Sequence, residues 1–229
     1  MWRAIKHYWR RRRLARRRIV PQLRLNTSAA GDRSGVWAFC PDLLGRDSVV
    51  YSFGVGDNLA WDAALAERFA LTVDAFDPTP ASVAWVAGRG LPPGVRFHPT
   101  GLAAHDGTLR FAPPRRGSRF NYRPLQSDAA ATDAVVAPVR RLATHLRLLG
   151  HDRLDVLKMD IEGGEYAVLD DLLADGLPVR QLLVEFHHHF PGVGIDRTER
   201  AVRALERAGY RIFHISERGL EISFLRVAA

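Results

Sequence analysis

Three sets of residues have the types and spacing to do chemistry: the turn Gly54, Gly56 and Asp57; a lone acid, Asp77; and the group Asp160, Glu185 and His187. Each begins directly after a short apolar run. Residues 49–58 read VVYSFGVGDN, and a run apolar on both faces suits a buried strand of a parallel sheet. The two glycines let the backbone turn tightly and approach a ligand where a Cβ would obstruct. Asp57 or Asn58 can then cap a helix through Trp61, Leu65 and Phe69. Strand, glycine turn and helix N-terminus together make the nucleotide-type cradle of doubly wound folds. A buried strand ending in an empty glycine turn has the same pattern, so this stretch alone leaves both readings open.

Asp77 closes the run LTVDAF, 21 residues after Gly56. In a nucleoside site an acid there accepts hydrogen bonds from ribose hydroxyls; its plainer role is a turn aspartate before Pro78. Asp77→Ala is therefore expected to abolish cofactor binding and leave the fold intact. Asp160 tips the run LDVLKM. In LLVEFHHHF, strand alternation puts Glu185, His187 and His189 on one side and His188 on the other. Glu185 orienting His187 would give a general base for an attacking hydroxyl. The same residues with Asp160 suit a divalent metal, but no tight ligand spacing in the sequence supports one, and the reading assigns none. Lys158 reads as a lysine with a buried stem and solvated head, and Glu162 and Glu165 as acids suited to the positive end of the next helix.

Strands and helices alternate around these positions. Residues 71–76, 95–98, 154–159 and 182–185 read as strands, with helices after Pro80, over 139–149, after Gly164, and from an Asp196/Glu199 capping box onward. A hairpin around Glu217-Arg218-Gly219 gives the sheet an antiparallel C-terminal edge. The fold class is α/β, doubly wound with a mostly parallel sheet, in which ligands bind beyond the carboxyl ends of the strands. Residues 113–132 form a long polar loop whose Arg115, Arg116 and Arg119 could face a negatively charged substrate.

The formal charge of +8 belongs to one end of the chain: residues 1–18 hold nine Lys or Arg and no acid, whereas the rest is close to neutral. Nothing in the body argues for a nucleic-acid groove. Residues 1–20 read as a basic tail, either flexible and solvated or an interfacial anchor with Trp2, Ile5 and Trp9 on one helical side. An anionic membrane surface or an acidic polymer is its expected partner. Residues 21–48 read as a lead-in and 49–229 as the main domain. A single cysteine, Cys40, excludes an internal disulfide, and neither a run of about 18 apolar residues nor a signal-peptide core is present. Cytoplasm, with peripheral membrane contact as an option, is the expected location.

Leu59 stands where a dinucleotide fingerprint needs its third glycine, and no Gly-Lys-Ser/Thr polyphosphate loop exists. Asp57 disfavours a pyrophosphate beside the turn but tolerates a ligand end carrying an ammonium and a sulfonium. S-adenosylmethionine (SAM) has both, together with a ribose for Asp77.

The blocks VVYSFGVGDNLAWD, VDAFDPTP, GLAAHDGTLRF, VLKMDIEGGEY and LLVEFHHHF resemble, in order, the FkbM family of SAM-dependent methyltransferases. The resemblance runs from about residue 49 to about 190. It implies a class I methyltransferase fold with a seven-stranded sheet, SAM as cofactor, and methylation of a hydroxyl on a sugar, polysaccharide or natural product. It further implies adenine contacts at Leu102 and Ala103 and a place for Asp160 beside the reacting methyl. The family's second-strand acid is often Glu; here it is Asp77, whose shorter carboxylate can serve the same diol. A non-catalytic scaffold of the same fold, tethered by the basic tail, is the alternative; an NAD-linked oxidoreductase is disfavoured by Leu59.

Overall fold

A computed structural model describes residues 2–32, 35–114, 120–125 and 133–227, the side chain of residue 3 excepted. The elements in chain order are α1 (Trp2–Arg16), β1 (Ser28–Asp32), β2 (Gly35–Phe39), β3 (Val50–Phe53), α2 (Ala60–Phe69), β4 (Val73–Phe76), α3 (Pro80–Arg89), β5 (Val95–His98), β6 (Gly101–Leu102), β7 (Gly107–Ala112), β8 (Arg123–Pro124), β9 (Val135–Arg140), α4 (Leu142–Leu149), β10 (Leu154–Met159), α5 (Glu165–Asp175), β11 (Val179–Glu185), α6 (Ile195–Arg207), β12 (Tyr210–Ile215) and β13 (Glu221–Arg226). The main sheet has seven strands in the order β12-β13-β11-β10-β3-β4-β5. Strands β11, β10, β3, β4 and β5 are parallel, and β13 runs antiparallel between β11 and β12. The order reverses between β3 and β10, where a doubly wound sheet opens its binding crevice.

Alternation along the buried strands divides the core into two layers. Tyr51, Phe53, Leu157 and Met159 face α4, α5 and α6, whose Leu142, Leu146, Leu169, Leu172 and Leu205 cover them. Val50, Val73, Ala75 and Val156 face the other way, onto Trp61 and Leu65 of α2 and Val86 of α3. Proline at the first position of α3 follows Thr79 in extended conformation, and Gly90 ends the helix.

Three local expectations change. Residues 139–140 belong to β9, not to a helix; α4 starts at Leu142. β9 joins β6, β7 and β8 in a second, four-stranded sheet beside the crevice. Asp196 and Glu199 form no capping box: α6 begins after Gly194, with no side-chain cap, and both acids pair with Arg17. Neither Asp57 nor Asn58 is the cap residue of α2, which is Leu59; Asn58 still accepts a hydrogen bond from the Ala60 N–H through its side chain (2.8 Å).

Strands β1 and β2 pair as an antiparallel ribbon that brings Trp37 and Phe39 into the α2-side core. The Gln181 amide fastens it, accepting from Cys40 N (2.8 Å) and donating to Cys40 O (3.2 Å). Residues 2–16 are helical, and Leu14 and Ile19 are buried in the α4–α6 layer.

His145 on α4 shows how this packing couples to pH. It is buried, edge-on to Phe53 and Phe76, and its Nε2–H donates to the Gly101 carbonyl (3.0 Å). Burial lowers its pKa from 6.5 to about 4. A depressed histidine contributes stability that is complete above about pH 6.5 and lost as pH falls toward 4. Thermal melts between those limits should show His145→Gln losing less stability than wild type, by up to ~3 kcal/mol; equal acid sensitivity would contradict this.

Candidate functional site

The carboxyl ends of β3, β4 and β10 converge because Gly54 lets them. Its φ is +88°, its N–H donates to the Phe76 carbonyl (3.0 Å), and a Cβ there would lie 1.9 Å from the Asp160 carbonyl oxygen. Only glycine fits so close an approach. Beyond these ends opens a cavity of about 270 Å³, walled by the glycine turn, Asp57, Asp77, Leu102 and Asp160, and covered by Phe120, Asn121 and Tyr122. Five of the six expected cofactor residues line it. Ala103 does not: its N–H continues the β9 ladder to the Arg140 carbonyl (3.0 Å), and the residue borders a neighbouring surface hollow. Glu185 and His187 stand behind Asp160 and off the cavity wall. Arg115, Arg116 and Arg119 lie outside the described residues.

Asp77 sits at one end, 5% exposed. One carboxylate oxygen accepts from Gly56 N (2.9 Å); the other accepts from Thr79 N (2.9 Å) and Thr79 Oγ1 (2.7 Å). Burial raises its pKa, against these donors. The Ser82 hydroxyl supports the carboxylate as well, so a ligand hydroxyl at the cavity wall meets an acceptor already held on both oxygens.

At the other end, Lys158 is buried rather than solvated. It lies beneath Trp37, with Nζ 5.0 Å from the ring centroid and 3.5 Å from the Gly54 carbonyl oxygen. Asp62 on α2 faces it, fully buried; burial raises the Asp62 pKa and Lys158 opposes the rise. Trp61 Nε1 and Asp62 Oδ1 are buried without a hydrogen-bond partner, a costly condition unless a polar ligand group completes them. The sequence reading missed this set. Its signal was a lysine in a central apolar strand, which burial does not tolerate without a partner.

The third feature is a carboxylate and imidazole cluster at the tips of β10 and β11. His187, 2% exposed, donates its backbone N–H to Glu165 Oε1 (2.8 Å). Its Nδ1 lies 3.5 Å from Glu165 Oε2, and its Nε2 lies 3.6 Å from both Asp160 Oδ1 and Glu162 Oε2. Glu165, not Glu185, is therefore the carboxylate that orients the ring: it is wholly buried and also accepts from Gly163 N (2.9 Å). Glu185 instead pairs with Arg218 (2.9 Å). Burial, then Asp160 and Glu221, pushes Glu185 up to about 8. Burial alone would depress His187, but Glu165, with Asp160 and Glu185 behind it, raises its pKa to about 9. At neutral pH the isolated imidazole thus holds its proton. Glu162 reaches the cavity wall from a left-handed backbone (φ +52°), and Asn121 donates to it. Strained residues of this kind cluster at functional sites.

The family profile described as the methyltransferase FkbM domain matches residues 30–212. The chain belongs to the FkbM methyltransferase family. It is 33% identical over 96 residues to "Probable methyltransferase-like protein 24" of Rattus norvegicus and 31% identical over 96 residues to the protein of the same name in Homo sapiens; each match covers 38% of this chain and 26% of the relative. The FkbM chain thus spans about a quarter of those relatives' length. Among solved structures, the methyltransferase FkbM from Methylobacillus flagellatus KT matches with a TM-score of 0.49 and 15% identity, over 80% of this chain and 44% of that one.

The cavity fits SAM on its own terms. Asp77 suits a ribose hydroxyl at one end. The unpartnered Asp62 Oδ1 and Trp61 Nε1, with Lys158, suit an α-ammonium and an α-carboxylate at the other, the two charges of an amino-acid zwitterion.

Proposed function

We propose that this FkbM protein transfers the methyl group of SAM to a hydroxyl of a sugar, polysaccharide or natural product. The observation that carries the reading is one cavity lined both by the buried carboxylate of Asp77 and by a Lys158/Asp62/Trp61 set in which Asp62 Oδ1 and Trp61 Nε1 lack hydrogen-bond partners. SAM supplies a methyl group already activated by a sulfonium, and the reaction exchanges the C–S bond for a C–O bond with loss of the hydroxyl proton. The protein's task is then mostly alignment of the two reactants. Glu162 at the cavity wall accepts the departing proton. Burial raises its pKa, which strengthens it as a base, and such a base contributes about 10²- to 10⁴-fold. Asp160 lies beside it at the wall, with His187 and Glu185 behind, held by Glu165 and Arg218, to position it.

Release of S-adenosylhomocysteine with monosaccharide and polyol acceptors tests this. Turnover should appear with wild type and fall about 100-fold or more in Glu162→Gln. SAM binding with no turnover on any hydroxylated acceptor would favour the scaffold alternative.

Helix α1 gives the protein a place to act. Its inner side is fixed: Leu14 is buried, and Arg10 and Arg11 stand against the Gly219 turn between β12 and β13. Trp2, Ile5, Tyr8 and Trp9 are left exposed, Trp2 at 84%. Exposed aromatics among nine basic residues suit an anionic bilayer at the cytoplasmic surface, at roughly 1 kcal/mol per base near the lipid. Among the described residues no helix is long and apolar enough to cross a membrane. The full chain should sediment with phosphatidylglycerol vesicles and not with phosphatidylcholine alone, and Trp2→Ala/Trp9→Ala should lower that partition about tenfold or more. Binding to an acidic polymer without vesicle binding would overturn the membrane assignment.

A further inference from the structure

The geometry points to a divalent-cation site formed by Asp160, Glu185 and His187, which gives the acceptor two points of attachment. Each of the three residues offers a ligand atom, and these atoms lie within 4.8 Å of one another. A single ion about 2.1 Å from each ligand needs only small side-chain adjustments to take its place among them.

The surroundings are those of a ligand set. The His187 side chain is 3% exposed, yet its Nε2 stands 3.6 Å from Asp160 Oδ1, too far for a hydrogen bond. Asp160 Oδ1 itself is buried with no hydrogen-bond partner. That gap matches the separation of two atoms sharing an ion better than that of a direct pair. Behind the ring, Nδ1 faces the buried Glu165 carboxylate at 3.5 Å. A metal-bound imidazole typically presents its second nitrogen to a carboxylate in this way, which fixes its orientation. Arg218 donates to Glu185 Oε1 (2.9 Å), and the carboxylate keeps further lone pairs for an ion. Two carboxylates and one imidazole suit a cation between the oxygen-preferring and nitrogen-preferring classes, such as Mn²⁺.

Asp160 carries this site to the cavity wall. An ion reached from the cavity past Asp160 would take two neighbouring oxygens of an acceptor, which narrows the substrate class to vicinal diols and α-hydroxy acids. This narrowing rests on the methyl-transfer reading; the ion site does not. Binding places a positive charge beside the acceptor hydroxyl, eases its loss of a proton to Glu162, and displaces the proton of His187.

The test is Mn²⁺ titration of the full chain, pretreated with chelator, by electron paramagnetic resonance and calorimetry, with SAM titrated separately. One Mn²⁺ should bind per chain, and Asp160→Asn and His187→Gln should each weaken it at least about tenfold. Measurable SAM affinity in Asp160→Asn would certify that variant as folded. Absence of saturable Mn²⁺ binding in wild type, or binding that neither substitution alters, would overturn the ion site. SAM binding that persists in that case would leave the methyl-transfer reading standing.

Discussion

Asp77→Asn should weaken SAM binding by about 100-fold, the equivalent of one or two hydrogen bonds to a charged group. The carboxylate is held by Gly56 N, Thr79 N and Thr79 Oγ1 at the cavity wall, where a ribose hydroxyl can reach it. The asparagine keeps the volume and one acceptor for Thr79, but its amide nitrogen meets the Gly56 N–H donor to donor. Asp77→Ala behaves differently from the sequence expectation, because it strips the partners from Gly56 N and Thr79 N together. Each orphaned buried donor costs about 1–3 kcal/mol, so that variant loses stability as well as affinity. Calorimetry with SAM, alongside a thermal melt of each variant, separates the two effects; undiminished affinity in Asp77→Asn would remove the ribose role.

Glu165→Ala should be the most damaging single change near the site, lowering stability by about 3–5 kcal/mol and the melting temperature by roughly 10 °C. The side chain is 0% exposed and holds the Gly163 turn, the His187 backbone and the His187 ring at once. Its removal leaves a buried imidazole without the carboxylate that faces its Nδ1. Glu165→Gln keeps the acceptor oxygen and should recover about half the loss. A wild-type melting curve for Glu165→Ala would mean that the cluster is not anchored there.

Much of this framework was readable before any coordinates. The double-faced apolar runs at 49–53 and 154–159 named the central strands, and Gly54 announced the close approach that joins them. Thr79-Pro80 and Gly90 bounded α3 because proline and glycine impose local geometry regardless of tertiary context. Where side chains choose among several partners, sequence spacing failed. Asp196 and Glu199 have capping-box spacing, yet Arg17, 182 residues before Glu199, takes them. Residues 135–140 form β9 and contain Pro138, whereas the leucine spacing at 142, 146 and 149 had extended the helix back to 139. The proline is tolerated because β6 pairs only with Val139 and Arg140. Glu185 sits two residues before His187, but Glu165, at the start of the preceding helix α5, is the carboxylate that reaches the ring. Lys158 looked like a solvated lysine because nothing in its strand revealed Asp62 on the far side of the glycine turn.

The central claim is that one cavity grips SAM at both ends. Isothermal titration of SAM into wild type, Asp77→Asn and Lys158→Met tests it most directly. The account predicts one site per chain, no comparable binding of NAD, and affinity lowered by at least about tenfold in each variant. Saturable SAM binding that both substitutions leave untouched, or no binding at all to the folded wild-type protein, would contradict it.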